Sequence, residues 1–178
     1  MSRLIVGPFN RVEGDLEVRL EIAEGEVARA EVVSPLYRGF ENMLRGKDVR
    51  DALVIAPRIC GICSVSQSVA AARAIAAVQG LVPAPNGQLV TNIVHAAENL
   101  ADHLTHFYLF FMPDFARPVY SDRHWFEAIQ ARFAPGAGTG VREMLGPRAE
   151  FLHVVGVLAG KWPHTLTLQP GGVARVVA

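Results

Sequence analysis

The stretch NGQLVTNIVHAAENLADHLTHFYLFFMP, residues 86–113, holds the longest run of helical periodicity in the chain and decides its class. Leu89, Ile93, Ala96, Ala97, Leu100, Leu104, Phe107, Tyr108 and Phe111 recur at steps of three and four, which gathers them along one face of an α-helix. Asn86 is read as the cap after Pro85, and Pro113 as the stop. Such a face normally turns to a core; left exposed on this chain, it would mark a surface that a partner covers.

Working outward from this helix, the segment from Gly61 to Val78 is rich in Ala and lacks Pro, which predicts a second helix ended by Gly80 and Pro83. Before it, Phe40, Met43 and Leu44 suggest a short helix closed near Gly46, and Asp48 is placed to cap another that runs to Ala56. Further back the period changes to two. Leu16, Val18, Leu20 and Ile22 alternate with Glu17, Arg19 and Glu21, Gly25 lies at a turn, and Val27 to Val33 alternate again. That is the pattern of a β-hairpin. Downstream, helices are predicted over 122–133 and from Pro147, as a first helical residue, to Leu158, with a loop at 136–140 between them. The tail, with Pro170-Gly171-Gly172, reads as a turn and extended chain. The fold class expected is α+β, mainly helical: a hairpin region over 1–36, packed helices over 37–160 and an extended tail over 161–178.

Composition narrows the function. Of 178 residues 51% are apolar and 19% charged, as in a globular protein, and seventeen basic side chains balance seventeen acidic ones. There is no basic run to suit nucleic acid or an anionic membrane, and no apolar stretch approaches a membrane span. The N-terminus lacks the apolar region of a signal peptide, so a cytoplasmic location is expected.

Two cysteines are too few for a disulfide scaffold. They stand three apart in Arg58-Ile59-Cys60-Gly61-Ile62-Cys63, where a loop meets the Ala-rich helix. Residues so spaced on a helical turn face the same way, which lets both sulfurs reach one metal, and the positive end of the helix favours thiolate. Gln67 lies four beyond Cys63 on that face, able to hydrogen-bond beside a ligand and unable to titrate. A buried or incidental pair and a thioredoxin-like dithiol are the alternatives; the second lacks a preceding βαβ unit. A closed all-cysteine site needs four thiolates, so a sulfur-rich metal site here needs ligands from outside these residues.

Several ordered blocks then give a resemblance that runs from about residue 4 to 178. Arg58-x-Cys60-Gly61-x-Cys63 resembles the N-terminal metal motif of [NiFe]-hydrogenase large subunits. Arg11-Val12-Glu13-Gly14 is similar to that family's opening signature, and residues 38–52 resemble its block before the cysteines. His103-Leu104-Thr105-His106-Phe107-Tyr108, Gly160-Lys161-Trp162-Pro163-His164 and Pro170-Gly171-Gly172 follow in the family's order.

The resemblance implies a large subunit that splits or senses H2, with a Ni–Fe centre whose iron carries CO and cyanide. Cys60 would be a terminal nickel ligand and Cys63 one shared with iron. Glu13 would carry protons away from the thiolates. Glu41 would bind a second cation, usually magnesium, and Arg58 would pair with an anionic ligand or fix the loop. A small subunit with Fe–S clusters would take the electrons. His95, His103 and His106 are read as satisfied core or interface residues rather than ligands.

Two departures bear on subgroup. Gln67 stands where the family usually has a histidine, as in the regulatory, hydrogen-sensing branch, for which a signalling histidine kinase is the expected partner; Asp15 stands where Glu-Gly-His is usual. The family's second motif, Asp-Pro-Cys-x-x-Cys, is not among the 178 residues. The chain is therefore expected to supply half of a site, to be inactive alone and to need the C-terminal part of the large subunit. An energy-conserving uptake hydrogenase, a non-catalytic interaction module and a thiol–disulfide oxidoreductase are the competing readings.

Overall fold

The computed structural model describes residues 2–12 and 14–175. Contacts divide the chain into two compact units, one up to Gly39 and one from Phe40 onward. In the first, strands β1 (Ser2–Val12), β2 (Gly14–Ala23) and β3 (Glu26–Val33) form an antiparallel sheet in the order β1-β2-β3. The expected hairpin is β2–β3. Its turn is Glu24-Gly25, with φ of 53° and 85°, and Ala23 pairs with Glu26 across it. Positive φ at both central residues matches the right-handed twist of the strands, and glycine takes the second at no steric cost. Strand β1 was not expected, because Gly7-Pro8 interrupts its alternation. The register indeed shifts between Val6 and Phe9, where proline has no N–H to give the ladder.

The second unit contains α1 (Phe40–Leu44), α2 (Ala52–Ile55), α3 (Ser64–Gln79), α4 (Pro85–His106), α5 (Phe126–Phe133), α6 (Gly140–Phe151) and α7 (His153–Ala159), then a ribbon of β4 (Leu168–Gln169) and β5 (Gly172–Val173). Asp48 caps the short turn Val49–Asp51 by accepting from Arg50 N at 2.9 Å. The core unites Val65 and Val69 of α3, Val90, Val94 and Ala97 of α4, Val155 and Ala159 of α7, and Leu168 of β4. Each fully buried valine contributes roughly 1.5–3 kcal/mol.

Helix α4 keeps its predicted period, but the buried face is turned from the predicted one and shares only Ala97 with it. Its inward residues are Gly87, Val90, Thr91, Val94, Ala97, Glu98 and Ala101. Leu89, Ile93 and Leu100 are 59%, 49% and 53% exposed, and Leu104, Phe107 and Phe111 are exposed with them. Small side chains let neighbouring backbones approach, and here that outweighs the larger apolar area of the other face. The approach is closest at Gly87, where a Cβ would lie 2.9 Å from Gly172 Cα. The Pro-Gly-Gly turn fits against the first turn of α4 because both positions lack side chains.

Four boundaries move. Pro85, not Asn86, opens α4, with Ala84 at the cap position. The α geometry ends at His106, followed by a π turn over Phe107–Phe111 and a 3-10 turn over Met112–Ala116 that contains Pro113. The helix expected from Pro147 is two helices: α6 begins seven residues earlier and holds Pro147 inside it, and Leu152 breaks it from α7. The helix predicted over 122–133 begins only at Phe126.

Candidate metal centre

The approach to the cysteines is a 3-10 turn, Ala56–Arg58, with Pro57 buried. Ile59 to Ile62 form the loop, and Cys63 occupies the N-cap position of α3 with φ −115° and ψ 28°. Both cysteines are free and half-buried. Their thiols are hydrogen-bonding neighbours, so the spacing of three does bring the sulfurs together. Gln67, one turn into α3, points its amide at the pair: Nε2 lies 3.8 Å from Cys63 Sγ.

A residue that the sequence reading missed fixes this turn. Glu98, on the buried face of α4, is 2% exposed. Its carboxylate accepts from Val65 N and Ser66 N, both at 2.8 Å, and from Trp162 Nε1 at 2.9 Å. The Ser66 and Ser64 hydroxyls lie at 3.2 and 3.4 Å. Val94, Ala97 and Ala101 around Glu98 carried the signal for it. Once the inward face had been assigned to the large residues, Glu98 fell on the solvent side.

On the other side of the loop, His164 takes a left-handed backbone conformation, φ 62°. Its N–H donates to Ser64 Oγ at 3.1 Å, and its Nδ1 lies 3.0 Å from Pro57 O. A carbonyl cannot donate, so Nδ1 carries the proton. The imidazole Cε1 and Nε2 then face Gly61, 3.9 Å from where a Cβ would be.

This arrangement corrects the expected electrostatics. The sequence reading had the helix end favouring thiolate. Instead the Cys63 thiol is pushed up to about 11, chiefly by burial, then by Cys60 and the negative charge of Glu98, with Gln67 lowering it only in part. Burial is the main reason, and the helix donors that would favour thiolate are already taken. Ser64 N donates to Gly61 O and Gln67 N to Cys63 O, while Glu98 takes the two between. Without a cation the Cys63 thiol stays protonated; a bound cation reverses this preference.

The other candidates are scattered. Arg58 is exposed and its Nη1 donates to Val54 O in the preceding helix α2, which fixes the approach to the loop. Glu41 is exposed in the first turn of α1. Among the described residues no group of three or more His, Cys, Asp or Glu side chains is placed to hold a metal, so Glu41 is not gathered with other ligands. Glu13 lies outside the described residues. His95 is half-buried and its Nε2 lies 3.0 Å from Ser66 Oγ. His103 and His106 are exposed, which excludes core positions and leaves the interface reading. Two adjacent thiols beside a neutral amide suit a soft metal, and they provide two of the four thiolates such a centre needs.

Residues 38–123 match the family model described as nickel-dependent hydrogenase. The chain is 30% identical over 179 residues to a component of the F420-non-reducing hydrogenase vhc of Methanococcus voltae, a match that covers 98% of this chain and 37% of that protein. The chain belongs to the nickel-dependent hydrogenase family. The periplasmic [NiFeSe] hydrogenase large subunit of Desulfomicrobium baculatum is 27% identical over 98% of this chain and 37% of its own length. The Ni-Fe-Se hydrogenase of D. vulgaris Hildenborough superposes with a TM-score of 0.76 at 29% identity, over 99% of this chain and 38% of that one. The mainly helical fold with its small N-terminal sheet is thus part of the hydrogenase large-subunit fold. This hydrogenase-family chain spans under two fifths of the length of the relatives named here.

Proposed function

We propose that this chain supplies two of the thiolates of a Ni–Fe active site in a hydrogenase large subunit that acts on H2 with an Fe–S small subunit. The observation that carries the reading is the pair of free, neighbouring thiols at the start of α3. A bound Ni–Fe centre, with CO and cyanide on iron, would supply the heterolytic cleavage of H2. Cys60 and Cys63 would hold it as thiolates, each losing a proton on loading. Gln67 would keep its amide directed at Cys63 without taking up a proton. Arg58, on the exposed approach to the loop, would meet an anionic ligand. Glu13 would receive the proton, and Glu41 would contribute to a hard-cation site, with magnesium the expected ion.

The exposed face of α4 is the surface on which further parts of the large subunit would pack, in keeping with the share of the relatives' length that the chain spans. Metal analysis and infrared spectroscopy of the assembly test the reading. Nickel, iron and CO and cyanide bands are expected, and each is lost in Cys60→Ser and Cys63→Ser. Retention of all of them in either variant, or hydrogen-dependent dye reduction by the 178-residue chain alone, contradicts it.

Gln67 favours a regulatory, hydrogen-sensing role over uptake, because a neutral amide beside Cys63 changes its hydrogen bonding without adding a titrating group. A cytoplasmic location and a histidine kinase as signalling partner belong to that same proposal. No helix among the described residues is long and apolar enough to cross a membrane. Slow H2 turnover, raised by Gln67→His, supports sensing; rapid turnover by the native protein supports uptake.

A further inference from the structure

We propose that Glu98 is a positioning residue for the cysteine pair: its buried carboxylate takes up leading donors of α3, and so fixes the turn from Cys60 to Ser66 and keeps the helix's backbone N–H groups off both sulfurs. This rests on the reading of the pair as metal ligands. The position at fault is Cys63. An N-cap is normally Ser, Thr, Asp or Asn, whose side chain satisfies the first N–H groups of the helix. Cysteine does this poorly, and no side chain caps α3 locally.

Glu98 does it from 35 residues away. Its oxygens lie 2.8 Å from Val65 N and 2.8 Å from Ser66 N, and Trp162 Nε1 anchors the carboxylate from behind at 2.9 Å. Ser64 N and Gln67 N are bonded to the carbonyls of Gly61 and Cys63. All four leading amides of α3 therefore end on oxygen. A backbone N–H donor at either sulfur would draw electron density from it, so ending these amides on oxygen leaves the sulfurs better donors to a metal. The negative charge of Glu98 also offsets the positive end of the helix that faces the loop.

A residue with only a structural role would lower the melting temperature and leave the pair unaltered in the folded state. Phenylarsine oxide, which binds two thiols held together, reads the placement of the sulfurs without any metal. It is used on the full chain below the melting temperature of every variant. Glu98→Gln turns one acceptor oxygen into an NH2 group that faces N–H donors. Capture is expected to weaken tenfold or more, with hydrogen exchange at Val65 and Ser66 accelerated at least tenfold. Trp162→Phe, which keeps the carboxylate and removes one anchor, is expected to weaken capture about threefold, and Ile93→Ser on the opposite face to leave it unchanged.

Wild-type capture by a folded Glu98→Gln overturns the proposal. Should that variant not fold, Trp162→Phe decides: a twofold or greater loss supports it and wild-type capture overturns it. Nickel binding by the wild-type assembly is measured in parallel. Arsenical capture without nickel removes the metal reading and leaves the positioning role standing; unchanged capture in both variants does the reverse.

Discussion

The two faces of α4 differ in a way that hydrophobicity alone does not predict. One carries Gly87, Val90, Val94, Ala97 and Ala101 around a single carboxylate, and it is buried. The other carries Leu89, Ile93, Leu100 and Leu104, and it is exposed. Close approach favours the small residues: α3, α7 and the β4–β5 ribbon lie against them, and the Glu98 carboxylate is fully engaged by five donors. The larger face keeps its apolar area for contacts beyond this chain. One helix thus serves both as wall of the cysteine turn and as outer surface.

The strongest way to break this contrast is to remove the carboxylate. Glu98→Ala strands the Val65 and Ser66 amides and the Trp162 indole, and is expected to cost roughly 3–5 kcal/mol in urea unfolding. A loss below about 1 kcal/mol would mean that water satisfies these donors. Second is Val94→Ala, fully buried beside it, which should cost about 2 kcal/mol through lost burial and the cavity left. Gly87→Ala tests the closeness of packing. With its Cβ 2.9 Å from Gly172 Cα, α4 and the β5 turn must separate, for a loss of roughly 1–3 kcal/mol. On the opposite face Ile93→Ser should change stability by about 0.5 kcal/mol or less and reduce self-association in sedimentation.

The smallest effect concerns pH. The side-chain and backbone hydrogen bonds from Arg50 hold the Asp48 carboxyl well below its ordinary value. A carboxyl depressed in the folded state stabilises above its unfolded pKa, and this contribution fades as pH falls through the carboxylate range toward the folded value. The pair is exposed to solvent, so only a slight difference between wild type and Asp48→Asn is expected. It should be present at pH 6 and shrink in acid melts; a difference that grows in acid would contradict this.

Much of the fold was legible. The hairpin shows in its alternation, and α3 in its Ala-rich run to Gly80. Periodicity located α4 but could not choose its face, because it weighs side chains by hydropathy and not by how closely they let backbones meet. Pro147 misled for a related reason: proline usually opens a helix, but inside α6 its missing hydrogen bond is tolerated. At the site, spacing alone brought Cys60, Cys63 and Gln67 together. Glu98 and His164 reach the loop from positions 35 and 101 residues beyond Cys63, and local pattern carries no information at such separations. The sign of the electrostatics failed with them, since burial, Cys60 and the Glu98 charge outweigh the helix end at Cys63.

Nickel-edge X-ray absorption on the assembly that contains this chain addresses the role of the cysteine pair most directly. Sulfur ligands to nickel are expected in the wild type, with nickel lost or its sulfur shell diminished in Cys60→Ser and in Cys63→Ser. An unchanged sulfur shell and full nickel occupancy in both variants would contradict that role.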